Sequence, residues 1–138
     1  MKIRNYISDD REQVAVLWNE TFPNSTGHNE PNTAIDRKFD ADDDLFFVAV
    51  ANATIIGTIL AGYDGHRGWL YSVAVHKDYR RQGVGSSLVR HAESALAQLG
   101  CPKLNLQVRA NNTSVTAFYQ SLGFLPEERI SMGKLISE

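Results

Sequence analysis

Arg80-Arg81-Gln82-Gly83-Val84-Gly85 gathers two guanidinium groups and two residues without a Cβ into six positions. Before it, Trp69 to Val75 alternates as a strand does; after it, Val84, Leu88, Ala92, Ala95 and Leu99 recur at helical spacing. A strand, a basic glycine turn and a helix make an anion site. The first N–H groups of a helix have no partner within it, and the dipole is positive there. Glycine at 83 and 85 lets a phosphate approach backbone that a Cβ would shield. Arg80 and Arg81 add charge-assisted donors. The stretch lacks the Gly-Lys-Ser/Thr ending of a Walker loop, and Leu88 stands where a dinucleotide fingerprint needs its third glycine.

Asn112 to Phe124 carries the second set of reactive residues. Val115, Phe118, Tyr119 and Leu122 fall on one face of a helix. Asn111 or Asn112 can cap its start, and Gly123 can take the left-handed position beyond its end. Tyr119 brings a phenol that can donate a proton; packing alone would also account for its place on an apolar face.

Together these motifs resemble the acetyl-CoA loop and the active-site helix of the GNAT acetyltransferase superfamily. The Arg-x-x-Gly-x-Gly pattern follows Val73-Ala74-Val75, and Asn112 precedes Phe118-Tyr119 and Gly123-Phe124 at the superfamily's distances. The whole chain is similar to small bacterial acetyltransferases of the YpeA type, including Gly62-Tyr63-Asp64-Gly65-His66-Arg67-Gly68 and Cys101-Pro102-Lys103. Val108-Arg109-Ala110 through Phe124 also resembles ribosomal-protein N-terminal alanine acetyltransferases.

The resemblance implies an acetyl-CoA-dependent N-acetyltransferase. Its acceptor would be an amine, on a small molecule or a peptide N-terminus. Cofactor contacts would come from Val73, Ala74 and Val75, from Arg80, Arg81, Gln82, Gly83, Val84, Gly85 and Ser86, and from Asn112 and Phe118. Tyr119 would be the general acid. The general base does not carry over. Histone-acetylating relatives have a glutamate where this chain has Trp69, and ribosomal N-terminal acetyltransferases have one where it has Gln107. Neither side chain takes a proton at neutral pH. Asp64 or His66 could act through a water, although both types are common in solvated turns. Without a base, the alternative is a non-catalytic acyl-CoA sensor or regulatory domain.

Other reactive residues read as structural. Asp40, Asp42, Asp43 and Asp44 fit a solvated helix end, and His28 is alone in a polar loop. Cys101, the one cysteine, excludes an internal disulfide.

The elements that must position these residues follow from pattern. Strands are expected at Lys2 to Tyr6, Leu45 to Ala51, Thr54 to Tyr63, Trp69 to Val75, Lys103 to Val108 and Arg129 to Ile136. A first helix carries Val14, Leu17, Trp18 and Phe22 and opens on an Asp9-x-x-Glu12 capping box or on Ser8. A short second helix near Thr33 to Asp40 carries Ile35 and Phe39. The expected fold is α/β (α+β), a mixed, mostly antiparallel sheet of about six or seven strands with helices on both faces. The resemblance implies that the fourth and fifth strands splay apart.

The 138 residues suit a single N-acetyltransferase domain, residues 1–138, and 43% apolar content supports a core. Fourteen basic against sixteen acidic residues give a net charge of -2, so no nucleic-acid partner is expected. No run is apolar enough for a membrane span, no metal site is expected, and a cytoplasmic monomer or homodimer is.

Overall fold

Strand β1 (Lys2–Asn5) lies at one edge of a five-stranded sheet, followed in order by β2 (Phe46–Ala51), β3 (Thr54–Tyr63), β4 (Gly68–Val75) and β5 (Leu104–Asn105). The first four run antiparallel, and β5 is parallel to β4. This is a computed structural model that describes residues 1–137. It divides into two compact units, Met1–Leu106 and Gln107–Glu138. The sheet, α1 (Arg11–Thr21), α2 (Pro31–Asp40) and α3 (Val84–Gln98) belong to the first. The second holds α4 (Thr113–Ser121).

Alternation along β2 and β3 supplies two apolar faces. Phe46, Val48 and Leu60 pack with Val14, Leu17 and Trp18 of α1. On the other face Phe47 meets His91 of α3 edge-on, with ring centroids 4.6 Å apart. Gly57 lets α3 approach closely: a Cβ there would sit 2.9 Å from Leu88 Cδ1 and 3.1 Å from the Ala74 carbonyl oxygen. Asn52 and Ala53 both take positive φ, 51° and 62°, as the tightest hairpin connection requires.

Several expectations need correction. The sheet has five strands, not six or seven. Arg129 to Ile136 forms no strand; Ile130, Met132 and Ile136 remain exposed, and alternation without a paired edge does not make a strand. Lys103 to Val108 is a strand only at Leu104–Asn105. The capping box at Asp9 does not form either. A 3₁₀ turn, Ser8–Asp10, leads into α1 instead, and the Asp10 carboxylate accepts from the Ile7 N–H at 2.9 Å. In α2 the cap is Glu30, which accepts from the N–H groups of Asn32 and Thr33, with Pro31 at the first position.

Asp10 is 5% exposed and accepts two bonds from the Arg4 guanidinium, at 2.7 and 2.9 Å. Burial works to raise its pKa. The bonds from Arg4 and Ile7 and the Arg4 charge outweigh burial and hold the carboxyl below its ordinary value. Its contribution to stability is therefore present above the unfolded carboxyl's pKa and is lost as pH falls through the lower folded value. Arg4→Met should lower unfolding free energy in urea at neutral pH by roughly 2–3 kcal/mol, because it strands a buried charge while Arg4 itself is partly open to water. A change too small to resolve would show that water already compensates Asp10.

Candidate active site

Strand β4 is paired on both sides only at its start. Gly68 and Trp69 pair with Leu104 and Asn105 of β5, and among the described residues Leu70 to Val75 have no ladder partner on that edge. The ladder between β4 and β5 is therefore two residues long. Against β3 the register slips: Leu60 faces Tyr71, yet Thr58 faces Ala74. One extra residue is accommodated by a bulge at Ser72 and Val73, with Ser72 at a left-handed φ of 49°.

The bulge and the two-residue alternation decide which backbone groups reach the open edge. The His76 N–H bonds to the Ile56 carbonyl at 2.7 Å, so His76 and Ala74 face β3. Val73 and Val75 then turn their N–H and C=O groups the other way. The Val75 carbonyl accepts from Arg80 Nε at 3.2 Å. Of the three β4 residues singled out from sequence, Val73 and Val75 thus present backbone, whereas buried Ala74 is spent on the sheet.

The turn after β4 is braced from within. His76 Nδ1 accepts from the Asp78 N–H at 3.1 Å, and Gln82 Nε2 donates to the Asp78 carbonyl at 3.3 Å. The side chains of Arg80 and Gln82 therefore have structural partners beyond any ligand contact. Arg81 has a positive φ of 63° and is exposed. Gly83, at φ 82°, is the N-cap of α3. Among the described residues no side chain caps this helix, and no acidic residue occupies its first turn. A Cβ built on Gly83 would meet nothing within 4 Å, so the space before Val84, Gly85 and Ser86 is open. That cradle, two exposed arginines and the uncapped N–H groups fit a phosphate-bearing ligand. It lies in the same unit as the open edge of β4.

Asn112, Phe118 and Tyr119 belong to the second unit. Asn112 caps α4, its Oδ1 accepting from the Val115 N–H at 3.3 Å. Gly123 ends the helix at a φ of 96°. Tyr119 is 9% exposed and packs edge-on against half-buried Phe118 and Phe124. Burial pushes its hydroxyl up to about 12. Asp64 behaves as a turn residue: its carboxylate accepts from the N–H groups of Arg67 and His66, both at 2.8 Å, and these bonds hold it below the ordinary range. A base so lowered takes protons poorly. The Gln107 amide donates to the Ser131 hydroxyl. Cys101 donates to the Lys103 carbonyl at 3.3 Å.

The sequence matches the Acetyltransferase (GNAT) family across residues 11–124. The chain belongs to that family. It is an acyltransferase. An acetyltransferase of Yersinia pestis (strain Pestoides F) is 42% identical over 134 residues, 97% of this chain and 94% of the relative. The PaiA N-acetyltransferase of Thermoplasma acidophilum, solved with coenzyme A, superposes with a TM-score of 0.80 at 20% identity, over 94% of this chain and 92% of that one. The aminoglycoside 6'-N-acetyltransferase AAC(6')-IG of Acinetobacter haemolyticus gives 0.77 at 21% identity, over 99% and 100%. At such identities the likeness to both structures is one of fold.

Among the described residues of this acetyltransferase, no group of three or more His, Cys, Asp and Glu side chains is placed to hold a metal ion. No helix of those residues is long and apolar enough to cross a membrane. Sequence reading overlooked the bulge at Ser72 and the bracing role of His76. Nothing in the serine itself signals a left-handed residue in mid-strand. The bracing by His76 uses the backbone N–H of Asp78, so no pair of side-chain types at the strand end signals it.

Proposed function

We propose that this acetyltransferase moves an acetyl group from acetyl-CoA directly to an amine, on a small molecule or a peptide N-terminus. The observation that carries this reading is the continuity of one feature. The open edge of β4 runs into a braced turn and then into a helix N-terminus that no side chain among the described residues caps. Peptide-like and phosphate groups of one elongated ligand suit those two surfaces in that order.

In this reading the amine nitrogen attacks the thioester carbonyl carbon. A C–N bond forms, negative charge gathers on the carbonyl oxygen, and collapse breaks the C–S bond. Backbone N–H of Val73, at the open edge, is the donor for that oxygen. Arg80, Arg81 and the N–H groups of Gly83 to Ser86 hold the phosphates, with Asn112 and Phe118 as further cofactor contacts. Tyr119 donates its proton to the departing sulfur and regains one from water; raised to about 12, its hydroxyl is otherwise protonated across the physiological range. The amine loses its own proton to water, since Trp69 and Gln107 supply no carboxylate and Asp64 is held low.

Thiol release from acetyl-CoA across amines of graded basicity tests this. The rising limb of the pH–rate profile should move with the acceptor's own pKa, near ~8 for α-amines and ~10.4 for lysine side chains. A limb fixed at one pH for every acceptor would place a base on the enzyme. CoA binding without thiol release from any acceptor would favour the sensor reading.

A further inference from the structure

The bulge that turns Val73 outward is tied to the opposite face of the sheet by side chains that no sequence motif marks. Trp18 Nε1 donates to Thr58 Oγ1 at 2.8 Å, and Thr58 Oγ1 donates to the Ser72 carbonyl at 2.9 Å. Trp18 and Thr58 are 2% and 0% exposed. A threonine hydroxyl has one proton to give. The Trp18 N–H occupies an acceptor position on the oxygen, so that proton is directed at Ser72. The Trp18–Thr58 bond is buried, and the bond to half-buried Ser72 is partly shielded from water. Ser72 holds a left-handed φ of 49° that a serine seldom adopts unaided.

We infer that Trp18 and Thr58 are positioning residues for acetyl transfer: their relay to the Ser72 carbonyl fixes the bulge that turns the Val73 N–H to the open edge of β4. The inference rests on the reading above, in which that N–H stabilises the thioester oxygen. It assigns Trp18, otherwise an ordinary core residue of α1, a task in catalysis. It also links the helix on one face of the sheet to backbone at the reacting edge.

Thr58→Val keeps the volume and removes the hydroxyl. Thr58→Ser keeps the hydroxyl and loses a methyl group. A merely structural role predicts that activity follows stability in both. Positioning predicts that they part. Thr58→Val should lower kcat about 10- to 100-fold, as misplacement of a reacting contact does, with CoA affinity from calorimetry little changed. Thr58→Ser should retain kcat near that of the parent despite a lower Tm from the lost methyl. Trp18→Phe, which leaves the Thr58 bond to Ser72 in place, should lower kcat less than Thr58→Val.

A folded Thr58→Val protein with parental kcat would overturn the inference, as would a Thr58→Ser protein that loses as much kcat as Thr58→Val. If Thr58→Val does not fold, the serine variant and Trp18→Phe decide. Parental kcat in the first and reduced kcat in the second, with unchanged KM for acetyl-CoA, support the relay. Unchanged kcat in Trp18→Phe sinks it. Absence of thiol release from the parent protein itself would overturn the functional reading and the relay with it; parental turnover with an indifferent Thr58 would sink the relay alone.

Discussion

A Gly83→Val protein should fold and fail to bind CoA. The built Cβ at this position meets nothing within 4 Å in the free protein, so the substitution creates no clash. Valine at a φ of 82° is strained, by about 1–2 kcal/mol for a left-handed residue, which a folded domain can absorb. The ligand meets a different obstacle. The side chain would fill the space in front of the first N–H groups of α3. Excluding a phosphate from two such donors, each worth about 1.5–3 kcal/mol, should raise the CoA dissociation constant by roughly 10²-fold or more. Calorimetry on the variant, with circular dichroism confirming its helices, gives the answer. Parental affinity in a folded variant would mean that the glycine turn is not the phosphate site.

Tyr119→Phe should be the most damaging conservative change to turnover. It keeps the ring between Phe118 and Phe124 and removes only the hydroxyl. The expected loss in kcat is about 10²–10⁴-fold if protonation of the thiolate limits the rate, with CoA affinity little altered. The pH dependence follows from the direction of the shift. A phenol raised to about 12 remains a donor well past the ordinary tyrosine range. The parent enzyme should therefore show no falling limb from this group until pH exceeds its ordinary value of about 10. Full activity in Tyr119→Phe with unchanged solvent isotope effects would remove the general-acid role.

What could be read from sequence was whatever depends on local spacing. The glycine turn, α3, the cap at Asn112 and the left-handed Gly123 follow from a few adjacent residues, and each is present. Features that depend on a distant partner were harder. Arg129 to Ile136 alternates like a strand, but strand formation needs an edge to pair with, and alternation does not report one. Phe39 repeats at helical spacing with Ile35, yet it lies 47% exposed, packed edge-on against Tyr6. The Ser72 bulge is set by how β3 and β4 slip past each other and by a hydroxyl fourteen residues away, and neither shows in the local pattern around Ser72. Trp18 was legible as a core residue of α1; the single polar atom on its ring, and where it points, was not.

The uncapped start of α3 has a thermodynamic consequence. A serine or aspartate in place of Gly83 would gain only a few tenths of a kcal/mol as a cap, less than the strain it would meet at a φ of 82°, and its side chain would enter the space a phosphate needs. The chain instead leaves the end of its longest helix unfinished. A ligand that binds only the folded protein compensates by mass action: at a free concentration a hundred times its dissociation constant, it adds about 2.7 kcal/mol. That exceeds what any cap would have given. Resistance to heat and to proteolysis then becomes a property shared between the polypeptide and its cosubstrate, and it rises and falls with the supply of coenzyme around it.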